Sequence, residues 1–387
     1  MNVCVSPKRI SGKIKAKPSK SYAQRIILAS AFADGCTKIY NYESSKDIDA
    51  AISCIASLGA EPVIGTGEIT VSPIANKKDR ILLDSCESAT TARMVLPCAC
   101  ALYRKGVLDG KGSLLTRPFK PMLDCLSEHG VEFKTDTIPI EFHSEMFGGV
   151  FDIDASESSQ YLSGLMFALP LLNEPGSINL TKPVCSSGYI EITKDVLSKF
   201  GISSYLTYSG KEQYKSPGHI QIEGDASNAA FFRACGVEVT GIEKNTLQKD
   251  NCFDSVKDNS TIDASDIPDL VPILAVYATT KNTDTSIINI ERLKNKESNR
   301  INSTLEMIEA LGGKAYADDT TITVKGNSRL RGGVVNSYND HRIVMAAAIA
   351  SQFCSEDVII KGAEAVEKSY PDFFCDFVRL GGEVYVK

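Results

Sequence analysis

One short signature recurs five times in this chain of 387 residues. It appears as Ala56-Ser57-Leu58-Gly59-Ala60, Leu126-Ser127-Glu128-His129-Gly130, Leu197-Ser198-Lys199-Phe200-Gly201, Glu309-Ala310-Leu311-Gly312-Gly313 and Val378-Arg379-Leu380-Gly381-Gly382. Each reads as the end of a helix, a glycine free to take a left-handed turn, and the start of a strand. The glycines stand 71, 71, 111 and 69 residues apart, and the long interval fits two units with one marker missing. A repeat of this kind dictates fold more strongly than local propensity does, because no single unit can bury its own core.

A second pattern supports the repeat. Alanine-rich apolar helices run into turns and then β-branched strands at residues 28–40, 96–108, 165–180, 231–239, 273–290 and 345–360. Six α/β units follow, with the fourth, around residues 248–263, shortened. Three units per domain give two domains. Residues 18–224 form the first, and residues 1–17 with 225–387 form the second, so two strands connect them as a hinge.

Composition narrows the function class. The chain is 43% hydrophobic and 23% charged, with net charge −6, which argues against nucleic acid as the main partner. The longest apolar runs, residues 162–172 and 270–280, fall short of the ~18 residues that span a bilayer. Residues 1–20 carry lysines but no apolar secretory core, which points to the cytoplasm. The 12 cysteines include no C-x-x-C pair and read as small core fillers in a reducing compartment, with no metal site. His129, His143 and His219 show no ligand spacing and read as surface or loop residues.

Each alanine-rich helix is preceded by polar residues. In order these are Lys20-Ser21, Glu87-Ser88-Ala89-Thr90-Thr91, Ser158-Ser159-Gln160, Asp225-Ala226-Ser227, Asp266-Ile267-Pro268-Asp269 and Asn339-Asp340-His341-Arg342. Free N–H groups and the positive dipole end make a helix start an anion site. The same residues also serve as plain N-caps, and the pattern leaves both readings open. Capping alone does not account for the cations beside them, which are Lys20, Arg25, Arg117, Lys296, Arg300, Arg342 and Lys368. Lys296, Glu297 and Arg300 have the spacing of one helix face presenting two cations and a carboxylate, or of a surface helix with local ion pairs.

From Lys17 to Asp372 these motifs resemble the 5-enolpyruvylshikimate-3-phosphate synthases. The resemblance is carried by Lys17-Pro18-Ser19-Lys20-Ser21 with Arg25, Arg117-Pro118, Ser158-Ser159-Gln160, and Glu223-Gly224-Asp225-Ala226-Ser227. Ile267-Pro268-Asp269, Lys296-Glu297-Ser298-Asn299-Arg300, Tyr338-Asn339-Asp340-His341-Arg342 and Lys368-Ser369-Tyr370-Pro371-Asp372 complete it, in order. It implies a two-domain inside-out α/β barrel of three βαβαββ repeats per domain, closing on its substrates about a double crossover. It implies a transferase of aromatic amino-acid biosynthesis that needs no cofactor and works as a monomer on small-molecule substrates.

The resemblance also implies residue roles. Shikimate 3-phosphate would be held by Lys20, Ser21, Arg25, Ser158, Ser159, Gln160, Ser186, Tyr189, Asp269 and Lys296. Phosphoenolpyruvate would meet Lys20, Ala89, Arg117, Gln160, Arg300, Arg342 and Lys368. Asp269 would be the base toward the 5-hydroxyl, Glu297 the acid toward the methylene carbon, and Lys20 a third catalytic group. Some positions depart from the common pattern. Ala89 replaces a glycine that abuts phosphoenolpyruvate, which implies reduced glyphosate sensitivity. Asn299 replaces an acidic residue, and Glu87 an Asn.

Three other readings compete. The UDP-N-acetylglucosamine enolpyruvyl transferases share fold and donor, but show Asn after the lysine and a reactive loop cysteine. Here Ser21 follows Lys20, and Cys125, the nearest candidate, falls within a helical run. An inactive binding module of the same fold is opposed by Lys20, Asp269 and Glu297 together. An RNA-end-processing protein of related architecture is opposed by the acidity and the absence of interleaved aromatic and basic runs.

Overall fold

All five marker glycines take positive φ, between 81° and 101°. At each, the glycine N–H and the next N–H both return to the preceding helix, as in Gly59 to Ala56 and Ala60 to Ile55. The same pair of bonds recurs at Gly130, Gly201, Gly312 and Gly381, so the repeat signature is a helix-terminating Schellman turn. The computed structural model describes residues 1–75 and 77–387.

The chain divides into two compact units, Pro18–Glu223 and Met1–Lys17 with Gly224–Lys387. The first holds α1 (Lys20–Phe32), α2 (Lys46–Ser57), α3 (Ala89–Leu102), α4 (Lys120–Glu128), α5 (Ser159–Ala168) and α6 (Ser187–Lys199). The second holds α7 (Ala226–Arg233), α8 (Phe253–Val256), α9 (Val271–Ala278), α10 (Arg300–Ala310), α11 (His341–Ala350) and α12 (Phe373–Arg379).

One strand plan recurs. In the first unit, Thr37–Tyr40 runs parallel to His219–Gln221, and the hairpin Glu61–Gly65/Glu68–Ser72 continues the sheet antiparallel. Ile81–Asp84 and Lys105–Asp109 repeat the parallel pair, extended by Ile140–His143 and Glu132–Phe133. In the second unit the plan returns on Thr261–Asp263 with Thr285–Ile288, and on Gly333–Asn336 with Val358–Lys361. The fourth repeat keeps only the parallel pair Glu238–Thr240 and Lys13–Lys15. Its second helix, α8, has 4 residues, and no glycine turn follows it.

The first helix of most repeats is buried almost all round, which is why its sequence is alanine-rich rather than amphipathic. α3 and α5 approach closely because residue 164 lacks a side chain. A Cβ there would lie 2.4 Å from the Arg93 carbonyl oxygen. These buried helices carry their polar residues at their N-terminal ends, so the packing that forms the core also sets where the chemistry sits.

Two expectations are corrected. His129 is buried rather than a surface or loop residue. Its ring stacks on Phe151 at 3.5 Å between centroids and reaches the carbonyls of Gly148 and Val150. Lys296 and Glu297 do not share a helix face with Arg300. A 3₁₀ turn, Glu291–Asn295, precedes them, and α10 starts at Arg300 with Asn299 as its N-cap.

Candidate active site

In the unit Pro18–Glu223, a hydrogen-bonded network ties together the starts of α1, α3 and α5 and the first turns of α6. Lys20 opens α1, and its Nζ lies 2.8 Å from Asp47 Oδ2 on α2. Gln24, one turn later, donates to Ser88 Oγ and Thr91 Oγ1 at the start of α3. Arg25 is wholly buried. Its Nε donates to Thr193 Oγ1 at 2.8 Å, one Nη donates to the Ser21 carbonyl, and the guanidinium lies 6.0 Å from the Tyr189 ring centre. Burial lowers its pKa to about 10, which leaves it charged at neutral pH.

Ser158 caps α5 by accepting from the Gln160 N–H, and Ser159 is buried in the first turn. The Gln160 side chain donates to Thr90 Oγ1 at 2.7 Å and accepts from Arg93 at 2.9 Å. Arg93 also donates to Ser158 Oγ and to the Pro118 carbonyl at 2.7 Å. Burial lowers the Arg93 pKa to about 10. Arg117 directly precedes Pro118, so the bonds that Arg93 and Tyr161 make to the Pro118 carbonyl fix the backbone next to it. Ala89 is the buried first residue of α3. Ser186, in left-handed conformation at φ +49°, directly precedes α6.

The second unit brings its predicted residues together around Asp269, on the 3₁₀ turn ahead of α9. Arg300 donates to Asp269 Oδ1 at 2.7 Å, and Arg342 donates to Asp269 Oδ2 at 2.9 Å. Arg300 also reaches Glu297 at 2.5 Å and, through Nε, Asp340 at 2.8 Å. Asp340 caps α11 by accepting from the Arg342 N–H. Arg342 is further held by Asn228 Oδ1 and Ser227 Oγ in the first turn of α7. Lys368 is buried and donates to the Asn339 carbonyl at 2.7 Å, beside the α11 start.

The electrostatics follow from this geometry. Burial alone would raise the Asp269 pKa, but Arg342, Arg300 and Lys296 hold it well below the usual carboxylate range. Burial would lower Arg300, yet Asp340, Glu297 and Asp269 keep it firmly charged. Lys296 is lowered, first by burial and also by Arg300 and Arg292, against the opposite pull of Asp269 and Glu297. Asp250, buried on the turn Lys249–Cys252, is pushed up to about 8, mainly by burial and then by Asp269. Its Oδ1 has no hydrogen-bond partner. Two arginines, a lysine and several carboxylates thus form one partly shielded cluster suited to anionic substrates and to proton transfer.

Sequence reasoning missed Asp47, Arg93, Asn228 and Asp250, and the arginine-holding roles of Ser227 and Asp340. Arg93 had a usable signal, since it is a lone charge in the apolar run 92–100. Among the described residues, no group of His, Cys, Asp and Glu could hold a metal ion, and no helix is long and apolar enough to cross a membrane.

The family described as EPSP synthase (3-phosphoshikimate 1-carboxyvinyltransferase) matches over residues 5–253 and 233–377. A 3-phosphoshikimate 1-carboxyvinyltransferase of Clostridium novyi is 34% identical, with 98% of each chain covered. One from Clostridium kluyveri is 32% identical over 99% of this chain and 98% of its own. The solved EPSP synthase of Acinetobacter baumannii shares the fold at TM-score 0.80, with 20% identity and full coverage of both chains.

Proposed function

The chain belongs to the EPSP synthase family, and on that premise we propose how its residues carry the 3-phosphoshikimate 1-carboxyvinyltransferase reaction. The enolpyruvyl group of phosphoenolpyruvate passes to the 5-hydroxyl of shikimate 3-phosphate, and phosphate leaves. Asp269 takes the hydroxyl proton as the oxygen bonds to C2 of phosphoenolpyruvate. Glu297 delivers a proton to C3. Glu297, now a carboxylate, then takes a proton from the C3 methyl group of the tetrahedral adduct as the C2–O bond to phosphate breaks, which restores the alkene.

The observation that carries this reading is the Asp269–Arg300–Arg342 cluster. Paired with both arginines, Asp269 is a poor base. The phosphate and carboxylate of phosphoenolpyruvate compete for Arg300 and Arg342, with Lys368 and Arg117 as further cations. Drawing the arginines away raises the Asp269 pKa toward a useful range. Both substrates are polyanions, and two unit charges 4 Å apart repel by about 4 kcal/mol at an effective dielectric near 20. Lys20, Arg117, Arg300, Arg342 and Lys368 offset that repulsion, with Gln160 and Ala89 completing the phosphoenolpyruvate contacts. Ser21, Arg25, Ser158, Ser159, Ser186, Tyr189 and Lys296 hold shikimate 3-phosphate together with Lys20, Gln160 and Asp269.

Cys125 speaks against the nucleotide-sugar alternative. It is buried in α4, and burial pushes its thiol up to about 12, the reverse of a reactive cysteine. All 12 cysteines are free, which supports a reducing, cytoplasmic setting. The monomeric state is tested by sedimentation. The function is tested by phosphate release from phosphoenolpyruvate with shikimate 3-phosphate, with UDP-N-acetylglucosamine, and with neither. Release only with shikimate 3-phosphate is expected. Release only with the nucleotide sugar would void the acceptor residues, and none from folded protein would leave a binding module.

A further inference from the structure

The second unit carries a groove of about 1100 Å³ formed by Pro7, Arg9, Arg329, Arg331 and the residues that follow α9, α10 and α11. It lies at the C-terminal ends of helices whose N-terminal ends hold Asp269, Arg300 and Arg342. α10 has 11 residues and α11 has 10, which separates the groove from those arginines by about 15 Å. Three guanidiniums line it and no carboxylate does.

The obvious structural role for arginine at helix C-termini is to satisfy the last carbonyls. Here backbone N–H groups already do that. Ser328 N–H donates to the Thr279 carbonyl, Lys281 N–H to Ala278, and Arg331 N–H to Leu311. Ion pairing does not occupy the three side chains either. Elsewhere on this unit Lys8, Lys13, Lys257, Lys294, Lys325 and Arg379 each lie within 3.0 Å of a carboxylate. Among the described residues, Arg9, Arg329 and Arg331 have neither a carboxylate nor a carbonyl partner for their guanidiniums.

The loops that carry them are nevertheless fixed. Gln352 accepts from the Ile10 N–H at 2.7 Å and donates to the Lys8 carbonyl at 2.8 Å, clamping the backbone on both sides of Arg9. Lys8 itself is drawn away to Glu383. Arg331 is held through its backbone to Leu311 and Glu356, and Leu330 bridges to Cys354. Unspent guanidiniums carried on loops whose backbone is held suit bidentate binding of phosphate oxygens.

We propose that this groove is a second anion site, separate from the reaction centre, which takes a pyrophosphate-bearing ligand. The volume exceeds that of a single phosphate, and three cations from two separate chain segments suit an anion with more than one phosphoryl group. The helix dipoles point their negative ends toward the groove, so the arginines must supply the attraction. Removing two of them should therefore abolish most of the affinity.

The test is calorimetric titration of the whole protein with pyrophosphate and with inorganic phosphate at low salt. Wild type should show a pyrophosphate-binding event at least tenfold tighter than phosphate. That event should survive Lys368→Ala, which alters the reaction centre, and weaken at least tenfold in the double variant Arg329→Ala/Arg331→Ala. These arginines are exposed, so the double variant should keep its circular dichroism, and the single variant Arg9→Ala gives an independent reading by weakening the same event. No binding, equal affinity for both anions, or binding lost with Lys368→Ala and kept in the double variant would each overturn the proposal.

Discussion

Asp250→Asn should stabilise the protein, and by an amount that depends on pH. Burial of the carboxyl, and then Asp269 and Asp225, push its pKa up, while Arg342 and Lys296 pull it down. Its folded value near 8 stands well above the ordinary 3.8. Below about pH 4 both folded and unfolded forms are protonated, and the group has no effect. As pH rises, the unfolded chain ionises while the folded one must keep its proton. Stability then falls by about 1.4 kcal/mol per pH unit and levels off above pH 8. By pH 7 the penalty has reached about 4 kcal/mol. Because Asp250 also interacts with the charges of Asp269, Arg342 and Lys296, we expect Asp250→Asn to gain ~2–4 kcal/mol there. The chain has no tryptophan, so urea unfolding is followed by circular dichroism at pH 5, 6, 7, 8 and 9. Titrations shared by both proteins cancel in the difference between them. That difference should widen from pH 5 to 8 and then hold. Parallel curves across that range would mean that Asp250 is ionised in the folded protein, and the reasoning would fail.

Other outcomes follow from the same structure. Glu297→Gln and Asp269→Asn should each lower kcat by about 10²–10⁴-fold, read as phosphate release under saturating substrates. An effect below tenfold would remove the residue from proton transfer. Asp47→Ala frees Lys20 from the contact that orients it and should cut kcat/KM at least tenfold, whereas Asp47→Glu should restore part of it. Unchanged kinetics in Asp47→Ala would show that Lys20 needs no such hold. Arg93→Met takes the buried guanidinium from Gln160 and leaves the Pro118 carbonyl to Tyr161 alone, and should cost about 3 kcal/mol in thermal or urea unfolding. Ala89→Gly should lower the glyphosate inhibition constant, and a wild-type protein already inhibited at submicromolar levels would contradict the crowding argument.

How much of this could be read from the sequence depends on how local the cause was. The glycine turns were legible because a Schellman turn is made by a few adjacent residues, and all five markers adopt it. The shortened fourth repeat was legible as a missing marker, and α8 has a single turn. The polar helix starts were visible for the same reason, and Ser88, Ser158, Asp225 and Asp340 cap, whereas α1 and α9 start without a side-chain cap. The geometry of Lys296-Glu297-x-x-Arg300 was misjudged because four-residue spacing says nothing about where a helix begins. Asn299 starts it after Glu297, and Arg300 reaches back to that carboxylate instead. Asp250 left no trace in sequence, since the groups that act on it, Asp225, Asp269 and Arg342, come together only in the fold. His129 looked like a loop residue because nothing nearby announced the ring of Phe151, 22 positions away.

The strand Asn2–Val5 lies between Val358–Lys361 and Val384–Val386, so the sheet that supports α11 is completed from both ends of this sequence. On the ribosome, Pro18–Glu223 can bury its core while most of the second unit is still unmade. Residues 2–5 must wait for partners more than 350 positions later. Until the last strands emerge, Val3 and Val5 have no core to enter, and the arginine–carboxylate cluster stands on an unfinished sheet. The unit that holds Lys20 and Arg25 can therefore mature before the one that holds Asp269 and Glu297. A stalled or truncated chain would then be expected to expose an unpaired apolar strand, a natural client for a chaperone, rather than to carry out half a reaction.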